Sequence, residues 1–419
     1  MIGLLRTWVT ALAASWPEVL AWYLGGTLVR EGILTLAAPI GPDSALAAFL
    51  LLPIAVLARL VSFVGMFLAV RRSLPAFAAT TAESGVARRG RFSGFADVLL
   101  ASIVPFFVLY GLLGLLQDDF AAYANRAFLY SFGGGDFLSP GDGPLVVVVI
   151  VVALAGRIVL KRFGSRLPRG ATVVEIYLEA VWVFVAVSGL SAVFAGVLAW
   201  VQDRQIVRWF LDVRQGLRDL WEPIRVTIDG IDGLVPLLLQ LLALPLAWLL
   251  IAGIVYTREL ASVAGERVLS PRLEANLRAR AQRLPAFVTR RRHLVTDEWD
   301  DVYKPLSVSA RLIVRMGWRA LIVYAASYAL VAAVAQWAVW SLTRMLGPHA
   351  ADWWIVALPV VATAVATVTE TARITLVGSA FDRALDAWRL RRGSGVSPAP
   401  GLVPTVAASL PPADRPPSP

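Results

Sequence analysis

Seven charged side chains lie inside or at the edges of long apolar segments, where they could handle a proton, an ion or a polar headgroup. They are Arg30, Glu31, Arg59, Glu175, Glu179, Glu370 and Arg373. A charge at the centre of a bilayer costs at least about 2.5–3.5 kcal/mol, so such a residue usually has a partner or lines a wet cavity. The spacing of four residues between Glu175 and Glu179 puts both carboxylates on one helix face, where a buried pair could share one proton.

Two interpretations of these charges are open at the level of sequence. In the first, the charges form mutual salt bridges that fasten helices, for instance between Arg59 and Glu31 or Glu179. In the second, they line a polar pocket towards the cytoplasmic half of the membrane. Glu370 and Arg373, three residues apart on one helix face, fit either interpretation.

Most catalytic chemistry is missing from the sequence. The chain has no cysteine, which excludes disulfides, thiolate nucleophiles and Cys-ligated metals. Its two histidines, His293 and His349, are predicted to lie on opposite sides of the membrane, so they cannot form a His-pair metal site. Phosphate-binding loops and dinucleotide fingerprints are absent. We therefore expect no cofactor and no metal, and we favour a protein that is not an enzyme.

The enzymatic alternative is a lipid-processing enzyme that uses carboxylates alone. It would draw on four aspartates in a predicted outer loop, Asp118, Asp119, Asp136 and Asp142. Such acids in a solvated loop are more often solubilising than catalytic. Gly133–Asp136 resembles part of the Gly-x-Gly-Asp motif of intramembrane aspartyl proteases, but no second aspartate lies within a span, so we interpret it as a turn.

Composition and apolar segments predict an all-α integral membrane protein with about eight transmembrane helices. The chain is 58% hydrophobic and 16% charged, outside the range of ordinary soluble domains. The first 70 residues should cross twice, as Val19–Ile40 with Ala45–Val70 or as Thr7–Val29 with Gly32–Ala58. The later segments are Ala96–Leu116, Leu145–Leu160, Ala180–Val201, Leu234–Tyr256, Ala320–Leu342 and Trp353–Leu376.

The arginines indicate the topology. Connections rich in arginine alternate with connections that are poor in it, and the positive-inside rule places the former in the cytoplasm. Both termini are therefore predicted to be cytoplasmic, in the plasma membrane of a bacterium. The net charge of +10 follows from this bias and calls for no nucleic-acid partner. Membrane lipids are the expected partners, with possible protein subunits or further copies of the chain.

This topology divides the chain into six parts. Residues 1–201 hold the first five spans, 202–232 an extracytoplasmic amphipathic helix, and 233–256 the sixth span. Residues 257–317 form a basic helical cytoplasmic loop, 318–392 the last two spans and the cytoplasmic end, and 393–419 a disordered proline-rich tail.

An apolar seam marks the amphipathic helix. Its members, at alternating spacings of three and four, are Ile206, Phe210, Val213, Leu217, Leu220 and Ile224. Pro223 should end or kink the helix. The seam is typical of a helix that lies on the membrane surface, and the alternative is a helix that docks a protein or a second copy.

Two features belong to the predicted cytoplasmic loops. Arg290, Arg291 and Arg292 are candidates for binding lipid headgroups, with a cytosolic protein partner as the alternative. The tetrapeptide Leu74–Phe77 recurs at Leu284–Phe287, which would fit a repeat of two four-helix halves, although one such match is expected by chance.

Three functions remain as hypotheses. The first is a transporter or permease component that acts alone or with partner subunits such as an ATPase. The second is a non-catalytic accessory or scaffold subunit of a cell-envelope membrane complex. The third is the lipid-processing enzyme. The intramembrane charges favour the first hypothesis, and the lack of catalytic groups favours the second.

Overall fold

The structure is a computed structural model that describes residues 2–84, 91–131, 148, 151–156, 171–264, 309–314 and 316–393. Across these residues the chain is almost entirely helical and contains no β-strand, which confirms the all-α prediction. The long helices are α1 (Ile2–Ile40), α2 (Ala45–Val70), α3 (Pro75–Ser84), α4 (Arg91–Leu112), α5 (Leu115–Ser131), α6 (Ala171–Gln202), α7 (Gln205–Leu220), α8 (Glu222–Ala264), α9 (Trp318–Leu346) and α10 (Ala351–Gly393).

Several of these helices are long and apolar enough to cross a membrane. In the described part of the chain they are Ala45–Ser73, Thr172–Gly189, Trp318–Leu346 and Ala351–Leu390. The pair Val98–Leu112 and Leu115–Tyr130, bent by 75°, makes a fifth if it counts as one span. These helices are compatible with a membrane location. Four to five spans are fewer than the eight that the sequence predicts, and most of Leu145–Leu160 lies outside the described residues.

Helices α1 and α2 form a tight antiparallel hairpin. The chain turns at residues 41–43, and the Ser44 side chain accepts a hydrogen bond from the backbone of Ala47 to cap α2. The turn agrees with the division that ends one segment at Ile40 and starts the next at Ala45. The other division is wrong, because Gly32–Ala58 spans the turn.

Close contact between α1 and α2 depends on glycine. A Cβ atom added at Gly26 would lie 2.3 Å from the Cβ of Ser62, and one added at Gly65 would lie 2.3 Å from the ring of Trp22. The Ser62 hydroxyl donates to the carbonyl of Trp22 at 2.8 Å. Small residues let membrane helices approach closely, so these positions set the spacing of the hairpin.

A sharp bend separates α4 from α5. Gly114 has a φ of +78°, a left-handed conformation that glycine adopts without strain and that commonly ends a helix. The following residues continue as α5, which packs against α1. The predicted outer loop that holds Asp118, Asp119, Asp136 and Asp142 covers Gln117–Pro144. For residues 117–131 that prediction is wrong, because they are helical and Leu116, Asp119, Tyr123 and Ala127 are buried.

The central core is aromatic. The ring of Phe184 on α6 lies 5.2 Å from that of Phe49, and Phe63 on α2 lies 4.5 Å from Trp248 on α8. At the other end of α2, the Tyr256 ring packs against Phe67 and Phe381. The core therefore joins α2 to α6, α8 and α10, and it holds α2 at the centre of the bundle.

Tryptophans cluster around the turn between α9 and α10. The rings of Trp337 and Trp340 lie 5.4 Å apart, and His349 stacks on Trp353 at 4.1 Å. Much of the adjoining helix surface is apolar and exposed, including Val334 and Ile355. Tryptophan is enriched where membrane meets water, so this turn is suited to one membrane interface.

The predicted amphipathic segment forms two helices. It breaks at Trp221, and Pro223 follows in the first turn of α8, which accords with the prediction that Pro223 ends or kinks the helix. Helices α7 and α8 pair as an antiparallel hairpin, tied by salt bridges from Arg214 to Asp232 and from Arg218 to Asp229.

Candidate functional site

Arg30 and Glu31, adjacent on α1, bind two residues that the bend brings in from α5. The Nε of Arg30 donates to Oδ1 of Asp119 at 2.9 Å, and its Nη1 donates to Glu31. Arg126 donates to the second oxygen of Glu31. The side chains of two helices thus form a chain of alternating charge.

Asp119 is the centre of this arrangement. Its side chain is 4% exposed, and it accepts hydrogen bonds from Arg30 and from the hydroxyl of Tyr110. Arg59 on α2 donates to the same tyrosine hydroxyl at 2.8 Å and lies 3.5 Å from Asp119. One buried carboxylate therefore joins α1, α2, α4 and α5. Buried charges are stabilising only when paired and hydrogen-bonded in this way.

A cleft of about 200 Å³ opens beside these charges, between α1, α2 and α10. The residues that line it are Tyr23, Gly26, Thr27, Arg30, Glu31, Arg59, Ser62, Phe63, Ala362, Thr363 and Ala366. Two cations, one carboxylate and several hydroxyl groups thus face a mainly apolar wall of Ala362, Thr363 and Ala366 on α10. The cleft combines a hydrophobic wall with a few polar groups, as small-molecule sites do.

The cleft opens on the side of the bundle, away from the ends of the helices that line it. Arg30 is about ten residues before the end of α1, which is about 15 Å along the helix. Arg59 is about 21 Å from the start of α2, and Ala362 is about 16 Å from the start of α10. These distances are shorter than the ~30 Å hydrocarbon thickness of a bilayer, so the cleft is compatible with a site within a membrane.

Glu370 and Arg373 form a second ion pair on α10. The Arg373 guanidinium lies 4.9 Å from the ring of Trp248 and 5.7 Å from that of Tyr328, at cation–π range. Glu370 is near enough to Arg59 for their charges to interact. The pair therefore adjoins the cleft, although neither residue lines it.

Glu175 and Glu179 are not brought to the cleft. Glu179 is buried and Glu175 is half-buried on α6. Between them, the Tyr177 hydroxyl donates to the carbonyl of Leu50 at 3.0 Å, near the start of α2. The expected pairing of Arg59 with Glu31 or Glu179 is replaced by the pairing of Arg59 with Asp119.

The sequence did not predict that Asp119, Tyr110 and Arg126 join the charged site, and Asp119 was considered only as a carboxylate of the lipid-processing alternative. The predicted topology placed Asp119 and Arg126 in a solvated loop, whereas Asp119 is buried and both lie on α5. A signal was available, because Leu116, Phe120, Tyr123 and Ala127 recur at spacings of four, three and four, typical of an amphipathic helix.

The sequence also did not single out Asp382, whose contacts give it a structural role. Its carboxylate is buried and accepts a hydrogen bond from the backbone N–H of Phe77 at 2.9 Å. Phe77 lies in the first turn of α3, where unsatisfied N–H groups and the helix dipole favour an anion. The first copy of the repeated tetrapeptide, Leu74–Phe77, therefore docks on α10. The second copy, Leu284–Phe287, lies outside the described residues.

The apolar seam faces the other helix of its hairpin but stays largely exposed. Phe210, Val213 and Leu217 on α7 line a groove with Ile228 and Ile231 on α8. Two further members of the seam, Ile206 and Leu220, are each 73% exposed. Ile224 is half-buried on α8 rather than on α7. Arg290, Arg291 and Arg292, the headgroup candidates, lie outside the described residues.

The candidate site is thus a charged cleft without a recognisable catalytic constellation. No group of three or more His, Cys, Asp or Glu residues suited to a metal occurs in the part of the chain that the structure describes. Comparison of the chain with protein families, with curated proteins and with solved structures finds no match.

Proposed function

We propose that the protein is a multi-pass transport component of the bacterial plasma membrane, acting alone or with partner subunits, whose solute enters the cleft between α1, α2 and α10. The observation that carries the proposal is the meeting of Arg30, Glu31 and Arg59 in one open cleft between long helices, about 15–21 Å from the turn that joins α1 to α2. Ionisable groups at this depth are expensive, and they typically mark solute or ion pathways.

Interruptions in the surrounding helices support the proposal. Pro53 lies inside α2 and Pro105 inside α4, and the chain bends at Gly114. Broken helices at membrane depth are tolerated where the freed backbone lines protein or a cavity, and many transporters build their sites from them. Here the bend after α4 delivers Asp119 to the arginines that border the cleft.

The proposal includes eight spans with both termini in the cytoplasm. The four helices that are long and apolar enough are joined by the bent pair α4–α5, by α1, by the apolar part of α8 (Leu241–Thr257) and by the sequence segment Leu145–Leu160. The apolar exposed surface of α1, with Leu28 at 75% exposure, supports its place in lipid despite Arg30 and Glu31.

The α7–α8 hairpin is proposed to lie on the outer membrane surface. It follows directly from α6, and the Arg204 guanidinium stacks over Trp200 at 3.4 Å where the two helices join. Trp209 and Trp221 are exposed on the hairpin. Amphipathic tryptophan and arginine side chains favour the interface between lipid and water.

A second candidate is a non-catalytic accessory subunit of an envelope complex. It is favoured by the mutual pairing of the charges around Asp119, which would fasten helices without any solute. The lipid-processing alternative gains no support, since the carboxylate of Asp119 is engaged by Arg30 and Tyr110. Asp136 and Asp142 lie outside the described residues.

A flux measurement separates the two candidates. Membrane vesicles from cells that produce the protein would be challenged with acetate, phosphate, glutamine, choline and glycerol, with entry followed by light scattering. Ala362→Phe fills the cleft, and Ala364→Phe is the matched control two positions away, since Ala364 is exposed and does not line the cleft. Transport predicts entry of at least one solute that Ala362→Phe blocks and Ala364→Phe does not. The absence of any difference between the variants contradicts it.

A further inference from the structure

We infer that the cleft binds a singly charged oxyanion, a phosphate or carboxylate group, with Arg59 as its principal ligand. This inference rests on the proposed function, whose solute class it names. The positive and negative side chains in and beside the cleft differ in number. The ion pairs in and beside the cleft involve four guanidinium groups, Arg30, Arg59, Arg126 and Arg373, and three carboxylates, Glu31, Asp119 and Glu370. One positive charge is therefore in excess.

The ion pairs locate that excess. Glu370 pairs with Arg373 on the same helix. The remaining two carboxylates are divided among three arginines, because Arg30 contacts both Glu31 and Asp119. An unneutralised guanidinium in a low-dielectric region attracts an anion strongly.

Of the two arginines that line the cleft, Arg59 has the weaker contact with a carboxylate. Its Nη1 is 3.5 Å from Asp119, whereas Nε of Arg30 is 2.9 Å from the same carboxylate. The Arg59 side chain is 34% exposed and that of Arg30 is 15% exposed. Arg126 is similarly exposed but does not line the cleft. Among the described residues, Arg59 donates a hydrogen bond to the Tyr110 hydroxyl and to no carboxylate, and its nearest ion-pair contact is Asp119 at 3.5 Å.

The other walls suit an oxyanion. Tyr23, Thr27 and Thr363 bring hydroxyl groups to the cleft, and hydroxyl groups can donate to an anion without a charge of their own. The planar guanidinium matches carboxylate and phosphate oxygens with two parallel hydrogen bonds. A volume of about 200 Å³ is about six or seven times the ~30 Å³ share of a water molecule, which leaves room for such a group.

A free anion and the phosphate of an anionic lipid share this chemistry. The test therefore measures both sources on the purified full chain in nanodiscs. Binding of radiolabelled inorganic phosphate and acetate is measured in phosphatidylcholine discs, and retained phosphatidylglycerol is measured by native mass spectrometry after reconstitution in mixed discs. The variants are Arg59→Gln, Ala362→Phe and two controls, Arg208→Gln on the exposed hairpin and Ala364→Phe.

The inference predicts that phosphate or acetate binds, or that phosphatidylglycerol is retained, and that Arg59→Gln weakens this binding at least about tenfold. Ala362→Phe should have the same effect without removing any charge, which keeps the test valid if Arg59→Gln fails to fold. Arg208→Gln and Ala364→Phe should bind like the natural protein. Binding of none of the three anions, or equal binding by all variants, overturns the inference.

Failure of the inference and failure of the proposed function give different results. Anion binding without any solute flux would retain the oxyanion site and contradict transport. Flux of choline or glycerol that Ala362→Phe blocks, without anion binding, would retain transport and contradict the oxyanion class.

Discussion

Arg30 and Asp119 are 89 positions apart in the chain, and the Nε of Arg30 donates to the carboxylate of Asp119 at 2.9 Å. This contact joins α1 to α5, and it forms because the chain bends at Gly114 and returns towards α1. Tyr110 on α4 donates to the other oxygen of the same carboxylate. The candidate site thus depends on a helix bend as much as on its charges.

Replacing Asp119 should destabilise the protein strongly. Asp119→Asn leaves Arg30 and Arg59 without their shared carboxylate, and breaking a buried ion pair costs about 3–5 kcal/mol. Asp118→Asn is the matched control, because Asp118 is exposed. An exposed substitution should change the free energy of unfolding by less than about 0.5 kcal/mol. Thermal unfolding of the detergent-solubilised variants measures both, and equal stability of the two would contradict the network.

Gly26 should tolerate no side chain, whereas its neighbour Gly25 should accept one. Gly26→Ala places a Cβ atom 2.3 Å from Ser62 and should cost about 1–3 kcal/mol through overpacking of α1 against α2. No atom lies within 4 Å of a Cβ atom added at Gly25, so Gly25→Ala should stabilise the helix by about 0.5–1 kcal/mol. Melting temperatures that move in the same direction would contradict the close approach of the two helices.

Asp382 should stabilise the start of α3. Asp382→Ala removes the acceptor for the Phe77 N–H group, and loss of a helix N-terminal cap costs about 0.5–2 kcal/mol. Asp386→Ala serves as the control, since Asp386 makes an exposed i,i+3 pair with Arg383. Chemical unfolding of both variants measures the change in the free energy of unfolding. A larger loss of stability in Asp386→Ala than in Asp382→Ala would contradict the role of Asp382 as a cap of α3.

The α7–α8 hairpin should place its apolar side in lipid. Because the chain has no cysteine, spin labels can be attached to Leu220→Cys and Asp219→Cys in an otherwise natural sequence. Leu220 is 73% exposed and its neighbour Asp219 is exposed on another side of α7. In liposomes, the label at position 220 should be quenched by oxygen and the label at 219 by an aqueous nickel complex. Strong nickel quenching at position 220 would place the hairpin in water.

The composition and the lengths of the apolar segments predicted the helical class and much of α2, because a run as apolar as Ala45–Val70 can be satisfied by few other structures. They also placed Arg30, Glu31 and Arg59 within apolar segments, and all three line the cleft. That outcome follows from a local property, since a charge inside an apolar run is visible without knowledge of the fold.

Asp119 and Asp382 could not be placed in the same way. Their positions depend on where the chain bends and on which helices meet, and both are contacts between residues far apart in sequence. Two adjacent aspartates at positions 118 and 119 differ only in the direction that α5 gives them. Glu175 and Glu179 were predicted as pocket residues because they share one helix face. That spacing does not show which helix the face would meet, and they do not line the cleft.

The central claim is that the cleft between α1, α2 and α10 holds water within the membrane. It is tested by the rate at which a charged, membrane-impermeant methanethiosulfonate reacts with Ala362→Cys and with Ala364→Cys in sealed vesicles. Ala362 lines the cleft and Ala364 does not, although both are exposed on α10. We predict that position 362 reacts at least about tenfold faster than position 364, because only a hydrated thiol ionises and reacts. Equal, slow reaction at the two positions would show a dry cleft and contradict the account.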